Sequence, residues 1–502
     1  MLDLLIKNAT ILDGTGADAF VADVAVANGK ILRVAKGITD TATTIVDATG
    51  LVLTPGFIDS HSHSDKTILS LPDQREKIEQ GITLSITGQC GGSASPAVTE
   101  EGLMTVSAFL EKARSTPQGS GSRLLIGHGS LRRAVMGTEN RSATEGELEQ
   151  MKALLRDGME AGALGLSFGL IYVPGCYADT AECVALARVV GEYNGILAAH
   201  IRNEGDALLE AVEEFLTIIK ASGCRAVFSH HKSSGKQNWG KVKESLAMID
   251  AANAAGADIY VDVYPYIASH TTLSASFIPK RFHPAGTTSA VALLDAPTVR
   301  ATVKAWLLET KKNDFGYALV TKCPGKEEYA GKTINEIADL RGQQDDRTET
   351  VFDIIRLSDG KASGCFFTMC EEDVEYVLRH PRAMVCTDSG VDPGTNPYHP
   401  RLRGTFPRVL GRYVRERGVT TLPEMIRKIT SLPAAVYGLA GKGRIAEGFD
   451  ADLCLFDADT IIDCATFTNC YLKNEGLRHV IVDGKIVVTD GVYNGTRAAR
   501  VI

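Results

Sequence analysis

The sequence predicts an α/β protein, a (β/α)8 TIM-like barrel carrying a small β-sandwich domain that the two ends of the chain build together. Three observations lead to this prediction. Both ends are rich in short β-branched segments, the middle alternates strand-like with helix-like segments, and the strand-like segments of the middle number eight. Such alternation is typical of a parallel sheet covered by helices, and eight repeats are typical of a closed barrel.

The two ends of the chain have similar patterns. "DVAVANGKILRVA" near the start and "RHVIVDGKIVVTDG" near the end are apolar runs broken by Asn-Gly or Asp-Gly, which favour hairpin turns. Short hairpins cannot bury a core alone. We therefore expect residues 1–54 and 436–502 to form one small β domain.

Eight strand-like segments occupy the middle, and helix signals separate several of them. Thr144 with Glu147 has the pattern of a capping box before "ELEQMKALLRDGMEAG", and Asp179 with Glu182 repeats it. Residues 55–435 are therefore predicted to form the barrel. The strand-like segments are "GFIDSHSH", "TLSITGQC", "RLLIGHG", "ALGLSFG", "ILAAHI", "RAVFSHHK", "DIYVDVYPY" and "AMVCTDSG".

The seventh and eighth of these segments are separated by about a hundred residues, far more than an ordinary connection in such a barrel. A lid or inserted subdomain at about residues 278–364 would account for this spacing.

The composition indicates a globular protein and argues against two kinds of partner. The chain has 502 residues, 44% hydrophobic and 23% charged, with a net charge of −8. That charge disfavours binding to a nucleic-acid backbone, and no apolar run has the length of a membrane span. The 11 cysteines are scattered and no secretory signal is evident, so we expect reduced thiols in the cytoplasm. A small molecule is the expected partner, and the oligomeric state is left open.

Several strand-like segments end in side chains that can bind a metal. His61 and His63 end the first, Cys90 the second, His200 the fifth and His230 the sixth. The carboxyl ends of barrel strands form one rim, where catalytic residues gather. Residues two apart in a strand point to the same side, so both histidines of the first can face the barrel axis. Thiolate with imidazole suits zinc better than magnesium or calcium.

Asp388 ends the eighth segment, where it could accept a proton from water whose pKa zinc lowers to roughly 7. Singly, each of these residues has a structural alternative: a histidine that only donates a hydrogen bond, a buried apolar cysteine, or an aspartate in a turn. Together at one rim they favour a metal site. His128 and His231 are expected to be structural.

Longer motifs resemble a known group of enzymes. "PGFIDSHSH" and the C-terminal "LPAAVYGLAGKGRIAEGFDADLCLFD" resemble the amidohydrolase superfamily. Within it, the chain resembles the D-aminoacylase (N-acyl-D-amino-acid deacylase) family across nearly its whole length outside the insertion. The motifs that carry this likeness are "GQCGG", "GHGSLRRAVMG", "EAGALGLSFGLIYVPGCYADT", "HIRNEGD", "SHHKSSG", "VDVYPY" and "CTDSG".

The resemblance implies roles for individual residues. In this family a cysteine on the second strand replaces the carboxylated lysine ligand of other members, which points to Cys90. A tightly held zinc would use Cys90, His200 and His230, and a second, weaker or empty position would use His61, His63 and Asp388. Asp388 matches the catalytic carboxylate, and the residues that match binders of the substrate's α-carboxylate are Lys232, Tyr264 and Arg401.

The resemblance implies zinc-dependent hydrolysis of the amide bond of N-acyl-D-amino acids. Metal-bound water would attack, with Asp388 as general base and then general acid. One alternative is a cyclic amidase of the hydantoinase or dihydroorotase type, although "ALGLSFG" lacks the lysine that those enzymes use. Another is a non-catalytic member of the superfamily. The preferred side chain stays open, because Phe277 and Ile278 suit neutral groups while Lys280 or Arg281 could select acidic ones.

Overall fold

The computed structural model describes residues 1–283, 289–392, 394 and 397–502. Five residues of the predicted insertion, 284–288, thus lie outside the described residues. Within the described part, each helix is too short or too polar to traverse a bilayer.

The middle of the chain forms the predicted barrel. Eight parallel strands are hydrogen-bonded in the order in which they occur in the sequence, and each of the eight predicted segments contributes one. In chain order the strands are Phe57–Asp59, Ile82–Thr87, Gly121–Gly127, Gly165–Gly169, Ile196–His200, Arg225–Phe228, Ile259–Val263 and Ala383–Val385.

The barrel closes through backbone contacts just beyond the first and eighth strands. The amide of Asp388 donates to the carbonyl of His61 (2.9 Å), and the amide of His63 donates to the carbonyl of Ser389 (3.1 Å). A parallel bridge joins Ser62 to Ser389 between them. The closure itself therefore places Asp388 between the two histidines of the first strand.

Helices cover the outside of the barrel and bury a continuous apolar core against it. Thr144 and Glu147 form the predicted capping box. Asp179 also caps its helix, but the side chain of Glu182 does not complete a box. It is used instead for a buried contact with His128 and Arg132.

The α-helices of the described residues vary from one turn to four. In chain order they are Arg75–Ile78, Val106–Arg114, His128–Met136, Glu145–Glu160, Thr180–Glu192, Leu208–Ser222, Val242–Ala254, Leu273–Phe277, Ala290–Asp295, Pro297–Lys311, Ile334–Arg341, Arg347–Leu357, Glu371–Arg379, Arg401–Arg408, Leu422–Ile429 and Ser431–Val436. A π-helix, Val409–Glu416, continues the helix that begins at Arg401.

Strands from both ends of the chain share a nine-stranded sheet. Val52–Pro55 pairs with Leu453–Phe456, which joins the N-terminal strands to the C-terminal ones. The division into domains 1–54 with 436–502 and 55–435, and the sandwich arrangement, stay predictions. The sheet's other strands are Leu2–Ile11, Phe20–Ala27, Lys30–Ala35, Ala42–Asp47, Leu477–Val482, Lys485–Thr489 and Val492–Tyr493.

The long connection between the seventh and eighth barrel strands has a sheet of its own. Ser363–Phe366 pairs antiparallel with Ser269–Thr272 on one side and with Ala318–Lys322 on the other. Helices of this region pack on it around a separate apolar core. This sheet begins before residue 278, and the description of the region as an inserted lid or subdomain at about residues 278–364 stays a prediction. A further short hairpin, Ala97–Thr99 with Gly102–Met104, follows the second barrel strand.

Candidate metal centre

The rim at the carboxyl ends of the barrel strands brings together six of the side chains predicted to bind metal. They form two groups that share one cysteine, and within each group the ligand atoms lie within 4.8 Å of one another. One group is Cys90, His200 and His230, and the other is His61, His63, Cys90 and Asp388.

Cys90 lies at the centre of this arrangement. Its Sγ is 3.2 Å from Nε2 of His61, 3.3 Å from Nε2 of His230 and 3.7 Å from Nδ1 of His200. Zinc bonds of about 2.3 Å to sulfur and about 2.0 Å to nitrogen, at tetrahedral angles, separate the two ligand atoms by about 3.5 Å. The spacing and the donor types therefore fit a zinc ion held by Cys90, His200 and His230.

Three of these residues have an unusual backbone conformation. Cys90, His230 and Asp388 have φ angles of 53°, 37° and 46°, in the left-handed region that side chains other than glycine seldom adopt. Each follows the end of a barrel strand, where the left-handed residue bends the chain. Such conformations cost of order 1 kcal/mol or more and cluster at functional sites.

Asp388 connects the two histidines of the first strand to an arginine. Its Oδ1 lies 3.0 Å from Nε2 of His63 and 3.4 Å from Nε2 of His61, while its Oδ2 accepts a hydrogen bond from Nη1 of Arg401 (2.7 Å). The pKa of Asp388 would be raised by burial, but Arg401 and the nearby imidazoles hold it well below its usual value. Asp388 is therefore an ionised carboxylate in a buried site.

The charge balance of the site also favours a thiolate. Burial would raise the pKa of Cys90, but the imidazoles of His61 and His230 lower it well below the usual value. Burial lowers the pKa of His61, and the charges of Cys90 and Asp262 more than reverse this effect. A thiolate surrounded by imidazoles is the state that binds zinc.

Two carboxylates that we did not predict lie behind the imidazoles. Oε1 of Glu204 is 3.1 Å from Nδ1 of His230, and its Oε2 is 3.6 Å from Nε2 of His200. Oδ2 of Asp262 is 3.6 Å from Nδ1 of His61. Both carboxylates occur in motifs quoted above, "HIRNEGD" and "VDVYPY". Asp262 is two residues before Tyr264 and so points to the same side of the strand, and this periodicity could have identified it.

The three predicted carboxylate-binding residues also lie together. The guanidinium carbon of Arg401 is 4.7 Å, and Nζ of Lys232 is 5.6 Å, from the centre of the Tyr264 ring. Both cations have carboxylate partners already, since Lys232 donates to Glu204 (2.6 Å) and Arg401 to Asp388. Among the described residues, Nε of Arg401 nevertheless has no hydrogen-bond partner, although it is a buried donor. It could bind an incoming anion.

His128 and His231 lie outside both metal-binding groups. Nε2 of His128 contacts Glu182 (2.7 Å), and Nε2 of His231 contacts the hydroxyl of Ser245 (2.7 Å). Each imidazole thus has a partner within the helical layer, consistent with a structural role.

Comparison with known proteins places the chain in a family. The model of the Amidohydrolase family matches residues 44–488. The chain belongs to this family. A D-aminoacylase of Alcaligenes xylosoxydans xylosoxydans is 34% identical over 100% of this chain and 97% of its own length. An N-acyl-D-glutamate deacylase of the same organism is 36% identical over 96% of this chain and 93% of its own length. Within the amidohydrolases, the chain therefore belongs with the D-aminoacylases.

A solved structure supports the same placement. The N-acyl-D-glutamate deacylase of Bordetella bronchiseptica, in complex with zinc and a phosphonate that mimics the tetrahedral intermediate, superposes with a TM-score of 0.86. It is 35% identical and covers 100% of this chain and 99% of its own. By contrast, an L-hydantoinase from Arthrobacter aurescens is 16% identical with a TM-score of 0.56, covering 100% of this chain and 99% of its own. That likeness shows the shared barrel fold alone.

Proposed function

We propose that this amidohydrolase removes the acyl group from N-acyl-D-amino acids in a zinc-dependent reaction. The observation that carries the proposal is the position of the Cys90 sulfur, within 3.7 Å of three imidazole nitrogens and beside the ionised Asp388. The full-length similarity to D-aminoacylase and N-acyl-D-glutamate deacylase supports the substrate class.

We assign Cys90, His200 and His230 as ligands of one tightly bound zinc. His61, His63 and Asp388 form a second position that shares the Cys90 sulfur and binds metal more weakly. Zinc, when bound, supplies a Lewis acid that polarises a carbonyl oxygen and lowers the pKa of water.

Asp388 moves the proton in this proposal. Arg401 holds Oδ2, so Oδ1 is the oxygen left to face the histidines and the reacting groups. As water attacks the acyl carbon, Oδ1 accepts a proton. It then returns that proton to the amide nitrogen as the carbon–nitrogen bond breaks. The products are a carboxylate and a D-amino acid.

Lys232, Tyr264 and Arg401 bind the α-carboxylate of the substrate. Their two cationic groups lie beside one aromatic ring. Nε of Arg401, to which the described part of the chain offers no acceptor, adds a donor. Fixing the carboxylate on one side and the acyl carbonyl on the other leaves one direction for the side chain, which selects a single enantiomer.

The proposed partner is thus a small molecule, and the proposed location is the cytoplasm. All eleven cysteines are free thiols, ten of which are not assigned to the metal, in agreement with a reducing compartment.

A substrate screen tests the proposal. Zinc-loaded protein is incubated with N-acetyl and N-formyl derivatives of D- and L-amino acids that carry apolar, neutral or acidic side chains, and the free amino acid is measured. We expect release of D-amino acids only. Ring opening of hydantoins or dihydroorotate without deacylation would identify a cyclic amidase instead. Zinc binding without any hydrolysis would indicate a non-catalytic member.

A further inference from the structure

One carboxylate faces the outer nitrogens of two imidazoles at the metal centre. Glu204 lies in the loop between the fifth barrel strand and the helix Leu208–Ser222. Its Oε1 is 3.1 Å from Nδ1 of His230 and its Oε2 is 3.6 Å from Nε2 of His200. The side chain is 12% exposed, so solvent competes little for these contacts.

The inner nitrogens of the same two imidazoles face the thiol. In these two rings, Nε2 of His230 (3.3 Å) and Nδ1 of His200 (3.7 Å) are the nitrogens that face Sγ of Cys90. A neutral imidazole carries one N–H, so a nitrogen that binds metal requires the hydrogen on the other nitrogen. Glu204 faces that other nitrogen in both rings, although the two histidines use opposite nitrogens. Its Oε1 is within hydrogen-bond distance of Nδ1 of His230, which Nζ of Lys232 also approaches to 2.7 Å, whereas its contact with His200 is an ion-pair distance. Nε2 of His200 is buried and has no hydrogen-bond partner among the described residues, and Oε2 of Glu204 lies 3.6 Å from it.

Glu204 also holds a residue of the proposed substrate pocket. Nζ of Lys232 donates to Oε1 of Glu204 (2.6 Å) and to the carbonyl of His230 (2.9 Å). The same carboxylate oxygen therefore contacts the His230 ring and the lysine. A displacement of Glu204 would move both.

We propose that Glu204 is a positioning residue that orients His200 and His230 for zinc and holds Lys232 for the substrate's carboxylate. The second half of this statement rests on the proposed deacylase function, whereas the first half does not. Partners of this kind, which accept from the outer nitrogen of a metal-binding histidine, typically change metal affinity 10- to 100-fold when they are replaced.

Asp262 provides an internal comparison. It faces the outer nitrogen of His61, which is not assigned to the tight position, and its Oδ1 accepts from the backbone amide of His230. The only imidazole that the Asp262 carboxylate faces among the proposed ligands is therefore that of His61, which belongs to the second metal position. Replacement of Glu204, and not of Asp262, is expected to weaken the tight zinc through the imidazole rings.

The first test measures zinc affinity in Glu204→Gln by competition with a chromogenic chelator. The matched control is Glu210→Gln, which removes the same charge from an exposed position on the helix that follows. We expect zinc to bind about 10- to 100-fold more weakly in Glu204→Gln and unchanged in Glu210→Gln. Equal affinities, within twofold, in both variants and in the unmodified protein overturn the proposal.

The second test measures steady-state kinetics at saturating zinc. We expect KM for the N-acyl-D-amino acid to rise about tenfold in Glu204→Gln, with a smaller change in kcat, because Lys232 loses its anchor. An unchanged KM would overturn the part that concerns Lys232. If neither the unmodified protein nor any variant hydrolyses an N-acyl amino acid, the proposed function fails. The zinc measurement still decides the role of Glu204 in that case.

Glu204→Asp separates positioning from general loss of stability. It keeps the charge but retracts the carboxylate, so we expect a zinc affinity between that of the unmodified protein and that of Glu204→Gln. Thermal melting accompanies each variant. If Glu204→Gln does not fold, Glu204→Asp is used in its place, and its cobalt-substituted form is compared with the cobalt-substituted unmodified protein. An unaltered cobalt absorption spectrum together with an unchanged zinc affinity would count against the proposal.

Discussion

Arg401 donates a 2.7 Å hydrogen bond to Asp388, and both side chains are buried at the rim of the barrel. Arg401 is the first residue of a helix that follows the eighth strand, and its guanidinium also lies over the ring of Tyr264. One side chain thus contacts the proposed proton-transfer group and the proposed carboxylate pocket. Its charge keeps Asp388 ionised, which is the state a general base requires.

Replacement of Asp388 by asparagine tests its role in proton transfer. Asparagine has nearly the same shape but cannot accept the proton, so we expect kcat to fall by about 10²- to 10⁴-fold. Asp459→Asn, at an exposed position, is the matched control and should retain full activity. The measurement is deacylation by zinc-loaded protein. Full activity of Asp388→Asn would remove Asp388 from the mechanism.

Replacement of Cys90 by serine tests its proposed role as the shared ligand of two metal positions. A neutral hydroxyl is a much poorer zinc ligand than a thiolate, so we expect the variant to lose its tightly bound metal and its activity. Cys464→Ser controls for removal of a thiol at a partly exposed position outside the site. Zinc content is measured by elemental analysis after dialysis against a weak chelator. Equal zinc in Cys90→Ser and the control would contradict the assignment.

The positions of the proposed metal-binding residues could be predicted from sequence because they depend on strand periodicity. His61 and His63 are two residues apart, and a parallel barrel collects the ends of its strands at one rim. The structure brings these imidazoles together, with ring centres 5.4 Å apart. Cys90 and His230 follow other strand ends in the same way. The fold class was predictable for the same reason, since each strand carries its own local pattern.

The contacts behind the imidazoles could not be predicted in this way. Glu204 is four residues beyond His200, in a loop whose path is set by tertiary contacts rather than by a repeating pattern. The pairing of Arg401 with Asp388 likewise depends on a helix that begins after the eighth strand. The left-handed conformation of Cys90 was also not predictable, because side chains other than glycine disfavour it locally and packing overrides that preference.

A fully buried lysine ties the first barrel strand to the segment that carries Asp388. Nζ of Lys77 donates to Asp59 (2.9 Å), to the hydroxyl of Thr387 (2.7 Å) and to the carbonyl of Ser389 (2.8 Å). Lys77→Met leaves the Asp59 carboxylate buried without its cation, which typically costs about 3–5 kcal/mol.

We therefore expect Lys77→Met to lower Tm by several degrees. We also expect it to reduce kcat, because Thr387 and Ser389, on either side of Asp388, lose their hydrogen bonds to Lys77. Differential scanning fluorimetry measures the first effect and the deacylation assay the second. The double variant Lys77→Met with Asp59→Leu removes both charges and should recover part of the lost Tm. No difference in Tm between Lys77→Met and the unmodified protein would mean that this ion pair does not stabilise the fold.

A second buried lysine gives a prediction for the pH dependence of stability. Burial lowers the pKa of Lys428 to about 8, although Glu424 opposes the effect, and its Nζ donates to the carbonyls of Leu378 and His380. The unfolded chain has the ordinary lysine pKa of about 10.4 and so binds more protons than the folded protein between pH 8 and about 10.4. Stability contributed by this group therefore rises with pH across that interval and is least below pH 8.

Lys428→Met removes this contribution and leaves the other titrating groups in place. We expect the Tm of the unmodified protein, measured relative to that of Lys428→Met, to increase by a few degrees as the pH is raised from about 8 to about 10. Lys473→Met, which replaces an exposed lysine, should show no such trend against the unmodified protein. Thermal melts of the three proteins in matched buffers measure the difference directly. A constant or falling difference between the unmodified protein and Lys428→Met would show that Lys428 is charged in the folded protein throughout this range.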